Sequence, residues 1–498
     1  MWYRDTFRTP LFSINSLMQF LSRRRPIYGL CWSLLLVGIL LVGTGLSPRA
    51  ARAQGFSVYE QGTCTMALAG AGVAHPCGDG SSIFFSPAGL LDTEGVTISA
   101  GATLIATQGA FTSDYTRAET ELQNDPIPVP HLYGAWKSTP RIAVGIGVYV
   151  PYGLETQWPA TWDGAFEGYD NGVESIYIQP TLAYQVTDRI RVGGGPILGI
   201  GSVTLNQRID ASQQQVQGGD TDTPDDDVYL ADLGVPFHTA FADASLEGSG
   251  AIGYGGHVGL TVEATDRIQF GARYMTPVKF EYDGEATFEP VDTGLQLPAN
   301  NPITGGRSVS LDFILESTFV NGPLVDQSVE TELTMPAQFV AGVSVEAMSE
   351  LQFLLDYHWT GWSSFDTIPL DFEEDALDQK RNEGYENTHA VRIGAAYDLT
   401  DAFTLRGGYL FNQAAAPDRT VTPLLPEANR NHLTAGLGWH ATDVVEVNVA
   451  YQYLGQNDRR GRVRDERVGE EDPSAEDLNS GLYSFNAHLI GTTITIHL

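Results

Sequence analysis

Tyr184–Gly195 reads YQVTDRIRVGGG and Val262–Arg273 reads VEATDRIQFGAR. In both, Thr-Asp-Arg separates two runs in which apolar and polar residues alternate. That alternation is the period of a half-buried strand, and a short polar break between two such runs is a hairpin turn. The theme recurs as YDLTDAFTLRGG (Tyr397–Gly408), WHATDVVEVNVA (Trp439–Ala450), EAMSELQFLLDY (Glu346–Tyr357) and, more loosely, WKSTPRIAVGIG (Trp136–Gly147). Between these turns lie long polar or irregular connections, near 108–129, 152–173, 210–247, 290–327, 367–387, 413–430 and 457–481. Six short turns alternating with seven long loops predict about 14 antiparallel strands, short-turned at one end and long-looped at the other. The predicted fold class is all-β, a transmembrane antiparallel up-and-down β-barrel with both chain ends on the periplasmic side.

The two faces of the strands support this. Tyr254, Val258, Leu260, Val262, Ile268, Phe270, Tyr274 and Phe280 fall on one face, and His257, Glu263, Arg273 and Lys279 on the other. In a bilayer the apolar set meets lipid and the polar set the lumen; in a soluble sandwich the apolar set would turn inward. Trp136, Tyr184, Tyr397 and Trp439 each precede their turn residue by four positions, a level aromatic row of the kind an interfacial girdle needs. The last strand, Ile490–Leu498, alternates in the same way.

The N-terminus is read as three parts. Arg23-Arg24-Arg25, an apolar run from Tyr28 to Leu46 and Ala51-Arg52-Ala53 have the layout of a secretory signal peptide over residues 1–53, with an uncleaved membrane helix as the alternative. Residues 54–91 are rich in Gly and Ala and hold no period, yet Phe56, Ile83, Phe84 and Phe85 are too apolar for a solvated linker. They are expected to form a compact irregular plug inside the barrel, which spans 92–498; a small domain outside the barrel is the competing reading. Cys64 and Cys77 both lie in the plug, where they either pair or remain buried thiols; a bridge would add roughly 3 kcal/mol by closing a short loop.

The formal charge is −33. Residues 1–53 hold seven Lys/Arg and one acid, so the remainder carries 21 basic and 60 acidic residues, a net −39. Such a chain is no nucleic-acid binder. Gly193–Gly201 (GGGPILGIG) begins inside a strand with no helix after it and is read as strand glycines rather than a phosphate loop. No nucleophile motif or metal-ligand spacing emerges; Asp220, Asp222, Asp225, Asp226 and Asp227 read as a solvated outer loop, with Ca²⁺ as the alternative. Two loops are unusually greasy: Leu230, Leu233, Phe237 and Phe241, and Leu311, Ile314, Leu315 and Phe319, recur at near-helical spacing. They either pack on each other or form an external groove for an apolar ligand.

The chain resembles the FadL/TodX-type outer-membrane transporters of long-chain fatty acids and other hydrophobic compounds. The resemblance rests on a plug starting near Gly55-Phe56, on Ser86-Pro87-Ala88 where the family has Asn-Pro-Ala, and on Pro151-Tyr152-Gly153-Leu154-Glu155-Thr156 with Trp158 and Trp162 downstream. It implies plug residues Phe56, Phe84, Phe85, Ser86, Pro87 and Ala88 and a lateral-gate kink at Pro151, Tyr152, Gly153 and Leu154. Ligand would be caught by the third and fourth outer loops, held above the plug and released sideways at the third strand. Pro151 lacks a ladder donor, so it either opens such a gap or simply ends the strand. A distorted third strand near 143–154 is expected to abut Phe84–Ala88. Arg273, Lys279, Arg392 and Arg406 are candidates to meet a ligand carboxylate, Lys279 foremost. The expected activity is passive uptake, not an enzyme and without cofactors; a diffusion porin and a barrel phospholipase using His257 or His358 are the alternatives. Expected partners are a hydrophobic small molecule (fatty acid or hydrocarbon), outer-membrane lipid and lipopolysaccharide, and no nucleic acid; a monomer is expected.

Overall fold

The computed structural model describes residues 55–114, 116–217, 228–320, 322–422, 425–461 and 480–498. The signal-like segment, Gln54 and the aspartates at 220–227 lie outside them.

Fourteen antiparallel strands form one closed sheet. They are β1 (Val96–Ser113), β2 (Ile127–Thr139), β3 (Ile142–Gln157), β4 (Asp170–Thr187), β5 (Ile190–Asp210), β6 (Ala240–Thr265) and β7 (Ile268–Met275 continued by Val278–Pro290). Then come β8 (Gln327–Met335 continued by Gln338–Met348), β9 (Leu351–Thr360), β10 (Thr388–Thr400), β11 (Phe403–Asn412), β12 (Arg430–His440), β13 (Val445–Gln456) and β14 (Gly481–His497). Each strand pairs with the next, and β14 pairs with β1 from Gly481↔Ser113 to His497↔Thr97, which closes the ring. Closure leaves no free edge, so backbone groups crossing lipid can be bonded within the protein.

Large apolar side chains are exposed on the outer face all round the ring, Leu132, Val258, Phe270, Leu355, Ile393, Leu433 and Ile494 among them. Trp136, Tyr184, Tyr397 and Trp439 are exposed beside the short turns, and Phe403 stacks on Trp439 at 6.3 Å. Apolar out and polar in is the membrane arrangement rather than that of a sandwich. Strands β1, β3 and β6 extend into the regions read as loops, to Ser113, to Gln157 and from Ala240.

The predicted face assignment fails at one place. Arg273 and Met275 point inward, but so do Val278, Phe280 and Tyr282, while Lys279 is exposed. Thr276-Pro277 on β7 and Pro336-Ala337 on β8 leave the ladder between Met275↔Gln338 and Val278↔Met335. The irregular step shifts the alternation by one residue, which turns a whole strand over.

Candidate functional site

The N-terminal segment, Gly55–Asp92, is almost wholly buried and packs against strands on all sides of the ring, so it lies inside it. It contains two short helical turns, α1 (Thr63–Ala67) and α2 (Ser82–Phe85), and a 3-10 turn over Pro87–Asp92. The fit depends on wall glycines: a Cβ at Gly193 would lie 2.3 Å from the Pro87 carbonyl oxygen, and one at Gly271 2.1 Å from that of Val73. Backbone groups of the segment are taken up by the wall. Asp356 Oδ2 accepts from the amides of Gly72 (2.8 Å) and Val73 (3.0 Å), Thr434 donates to the Ala67 carbonyl (2.8 Å) and Arg392 to that of Gly70 (3.2 Å). A disulfide joins Cys64 and Cys77. Burial pushes the Asp79 carboxyl above its ordinary value, against the hydrogen bonds Ser81 gives it.

The wall is interrupted between β2 and β3. Their ladder runs from Thr139↔Ile142 to Leu132↔Val148 and stops, although β2 continues along β1 to Ile127. On its other side β3 stays with β4 but bulges, Val150 and Pro151 together opposing Ile176. The groups freed on β3 are met from inside: Val58 N donates to the Pro151 carbonyl (2.9 Å), Gly153 N to that of Phe56 (3.1 Å) and Val150 N to Gln61 Oε1 (3.0 Å). On β2, Pro128 and Pro130 keep register with Leu104 and Ala102 of β1. A proline holds such a place only with its missing donor turned away from the bonded neighbour, here toward β3. Val58, Val129 and Val150 pack together across the interruption, and above it Gln123 N donates to the Gln157 carbonyl (2.7 Å).

Above Phe56 lies a cavity of about 110 Å³, lined by Leu154, Val173, Val203, Leu246, Tyr282, Leu333, Phe365, Ile368, Leu370, Tyr385 and Leu425 among others. Its polar lining includes Asn171, Arg381 and Glu383. Arg381 donates to the Glu167 carbonyl (3.4 Å) and to Gln207 Oε1. Over the cavity the two greasy loops meet. Leu311–Val320 forms the helix α3; Leu311 and Leu315 are buried with Leu230 and Phe241, with Leu233, Ile314 and Phe319 packed against them. Phe241–Phe319 ring centroids are 5.9 Å apart. Phe237 stands apart and exposed, and Phe241 already belongs to β6 rather than to a helix.

The remaining predicted residues divide clearly. Phe84 meets Tyr149 at 5.2 Å and Ile83 sits against Gly145 and Gly147, so the lower half of the third strand does abut that part of the segment. The kink itself meets Phe56–Gln61, and Pro87–Ala88 sit on β5 and β6 instead. Ser86 is buried with its hydroxyl unpartnered. Tyr152 reaches across the lumen, donating to the Pro336 carbonyl (2.7 Å) and accepting from Gln338 (2.8 Å). Arg273 donates to Gln338 (3.0 Å) and lies over Phe84, Arg392 lies over Tyr59, and Arg406 donates to Asn448 (2.8 Å). Arg273 and Arg392 thus meet the segment at Phe84, Tyr59 and Gly70, with Arg273 Nη1 and Arg392 Nε and Nη2 left without hydrogen-bond partners among the described residues, and Arg406 joins two wall strands. Lys279 faces outward, bonded to Glu281 (2.9 Å) and Glu332 (2.7 Å), and corrects the expectation that it enters the lumen; the cause is the alternation shift at Thr276-Pro277. His257 touches Gln179 (3.2 Å), and the His358 ring lies 5.7 Å from Tyr59. The sequence reading missed Asn171, Arg381 and Tyr282, because nothing in the pattern of one strand says which others share its cavity.

A family model described as outer membrane protein transport protein (OMPP1/FadL/TodX) matches residues 46–497. The chain belongs to the OMPP1/FadL/TodX family. A putative outer membrane protein of Neisseria meningitidis serogroup B is 23% identical over 482 residues, covering 92% of this chain and 97% of its own. A long-chain fatty acid transport protein of Escherichia coli K12 is 22% identical over 435 residues, 83% and 91% of the two chains. Among solved structures, a Pseudomonas aeruginosa FadL homologue superposes with TM-score 0.71 at 18% identity, covering 89% of this chain and all of the other. The Pseudomonas putida toluene transporter TodX superposes with TM-score 0.61 at 15% identity, covering 90% and 99%. As a FadL/TodX-family barrel with an apolar outer face, the protein is integral to the outer membrane.

Proposed function

We propose that the protein takes up hydrophobic molecules across the outer membrane by passive diffusion, without covalent chemistry, and releases them sideways into the bilayer. The loop cluster around α3 captures the ligand, the cavity above Phe56 holds it, and Gly55–Asp92 acts as a plug that blocks the straight path to the periplasm. The ligand leaves between β2 and β3. The names of relatives, fatty acid and toluene transporters, support an apolar cargo. The observation that carries the route is the β2–β3 ladder that stops at Leu132↔Val148, with Leu154, further along β3, lining the cavity. An intact ladder leaves no passage, and unpaired groups in lipid cost several kcal/mol each, so an interruption whose freed groups are satisfied from inside is a built feature. The tight seating on Gly193 and Gly271 argues against a path through the plug. We read the barrel as a monomer bathed by lipid and lipopolysaccharide, since its apolar outer face runs round every strand.

Pro151→Val returns a backbone donor at the bulge, and a Cβ at Gly153 would lie 3.7 Å from Val58 and 3.9 Å from Val150, so Gly153→Val adds to the side-chain contact that closes the interruption. Uptake of radiolabelled toluene or oleate by whole cells should fall, while heat-modifiability on gels stays that of the parent. A folded double variant that transports at the parental rate would remove the lateral route.

A further inference from the structure

The six short turns share one backbone plan. In each, one residue's carbonyl accepts from an amide of the strand that follows: Arg141 from Gln185, Arg189 from Glu263 and Arg267 from Glu346, then Glu350 from Asp398, Ala402 from His440 and Val444 from His497, at 2.8–3.0 Å. In five of the six, that residue's own amide donates to a threonine hydroxyl two positions back, at 3.2–3.3 Å. Both bonds use only backbone, so the place makes no demand on the side chain; Glu350, Ala402 and Val444 fill it equally well. Yet the first three turns in ring order, joining β2–β3, β4–β5 and β6–β7, all carry arginine there, and all three arginines are exposed. Turns two strands apart lie about 10 Å from each other at sheet spacing, so three guanidinium groups line about 20 Å of one rim.

The fold does not use these charges. Among the described residues Asp188 is the only carboxylate paired with any of the three; it lies 3.7 Å from Arg141, with the two side chains 93% and 60% exposed, and so open an ion pair contributes little. Arg189 donates to the Ala264 carbonyl (3.3 Å). On this arc only Asp188 and Asp266 stand exposed against the arginines, since Glu263 is taken by Arg191. The other arc is its opposite: beside the last three turns Glu346, Glu350, Asp398, Asp401 and Asp443 are exposed. The chain's formal charge of −33 does not cancel the arginine arc. Acids at the long-loop end are an apolar band away, roughly 25 Å, against a screening length of about 8 Å. Trp136 and Tyr184, exposed on the same arc, mark the headgroup level beside the arginines.

We propose that Arg141, Arg189 and Arg267 form a docking edge for anionic phospholipid in the leaflet at the short-turn, periplasmic end, each guanidinium taking a headgroup phosphate. The planar fork of arginine matches phosphate oxygens, and a zwitterionic headgroup is the poorer partner because it brings its own ammonium. The arc includes the β2–β3 turn, so lipid held there lies at the foot of the interrupted pair of strands. The edge needs the barrel in its membrane but not the uptake route. The test reconstitutes the whole barrel in phosphatidylcholine vesicles containing brominated phosphatidylglycerol or, in parallel, brominated phosphatidylcholine, and reads tryptophan quenching. Trp439→Phe keeps Trp136 as the reporter of the arginine arc; Trp136→Phe keeps Trp439 as that of the acidic arc. Quenching of the Trp439→Phe barrel should show phosphatidylglycerol enriched roughly fivefold over phosphatidylcholine, about the worth of one cation at an anionic membrane surface. The Trp136→Phe barrel should show no enrichment. Adding Arg141→Gln, Arg189→Gln and Arg267→Gln to Trp439→Phe should abolish it, the three lysine replacements should restore part of it, and salt should weaken it. Glutamine keeps the turn carbonyl and amide, and heat-modifiability certifies each fold; if the triple variant does not fold, the salt dependence and the two single-tryptophan replacements decide. Equal quenching by the two lipids at Trp136, equal enrichment at both reporters, or an enrichment that survives salt or the glutamine replacements would overturn the docking edge and leave the uptake reading untouched.

Discussion

Removing the carboxylate of Asp356 should unseat the plug without opening the barrel. Asp356 is 1% exposed, and its Oδ2 is the acceptor for two consecutive plug amides, Gly72 at 2.8 Å and Val73 at 3.0 Å. Across the β9–β10 ladder it stands directly opposite Arg392, which is fully buried and donates to the Gly70 carbonyl. Asp356→Leu leaves two buried donors without an acceptor, each worth about 1–3 kcal/mol, so about 2–6 kcal/mol in all. It also strips Arg392 of the charge facing it, which adds to the loss. At about 1.4 kcal/mol per factor of ten, the smaller figure alone raises the undocked fraction roughly thirtyfold. Asp356→Asn keeps one acceptor oxygen and should fall between. The wall is held by ladders that this side chain does not join, so heat-modifiability should persist. Conductance of single barrels in planar bilayers is the assay: near-silent parent, frequent openings in Asp356→Leu, fewer in Asp356→Asn. A folded Asp356→Leu barrel as silent as the parent would refute the claim that these two hydrogen bonds hold the plug.

Cys64 and Cys77 should resist thiol labelling in the denatured exported protein until reductant is added, and the paired serine variant should lose roughly 3 kcal/mol of plug stability, read as protease resistance from the periplasmic side; full labelling without reductant would remove the bridge. Lys279→Met should leave ligand binding unchanged, because the ammonium is outside the wall between Glu281 and Glu332; weakened fatty-acid binding would return it to the lumen. Burial raises the Asp79 carboxyl above its unfolded value, so folding binds a proton there and stability is added as pH falls through the raised value toward the ordinary carboxylate range. Asp79→Asn should flatten that part of a melting-temperature profile against pH, and an unchanged profile would show that the group does not contribute.

What could be read from the sequence was what is local and periodic. The Thr-Asp turns at Asp188, Asp266, Asp401 and Asp443 lie between strands that the structure pairs as hairpins. Alternation also put Trp136, Tyr184, Tyr397 and Trp439 on the exposed face, where the structure has them. The reading failed where alternation stops being local. Nothing in VKFEYDG announces that its phase is inverted; the signal was the pair of prolines, Pro277 and Pro336, which matters only once β7 and β8 are known to be neighbours. Asn171, Arg381 and Tyr282 come from three separate parts of the chain and share a cavity only through closure of the ring. The greasy loops were visible as composition, but that Phe241 is strand and Leu311–Val320 helix depends on their packing against each other.

The same distinction bears on the interruption in the wall. Pro151 alone is ambiguous, since a proline can end a strand as well as bend one. Pro128 and Pro130 remove the ambiguity, because they lie past the last β2–β3 pair and strip β2 of two donors along that edge. If the two strands were pushed together there, Pro128, Pro130 and Pro151 would all withhold donors, so little hydrogen bonding would be recovered. The partners that matter are instead on the plug: the Phe56 carbonyl for Gly153, the Val58 amide for the Pro151 carbonyl, and Gln61 for both backbone groups of Val150. What then closes the passage is side-chain contact among Val58, Val129 and Val150 rather than a ladder. Small apolar side chains can part and re-form contact at far lower cost than broken backbone hydrogen bonds in lipid. On the proposed route an apolar solute would therefore part these side chains between β2 and β3 while every ladder that holds the barrel stays intact.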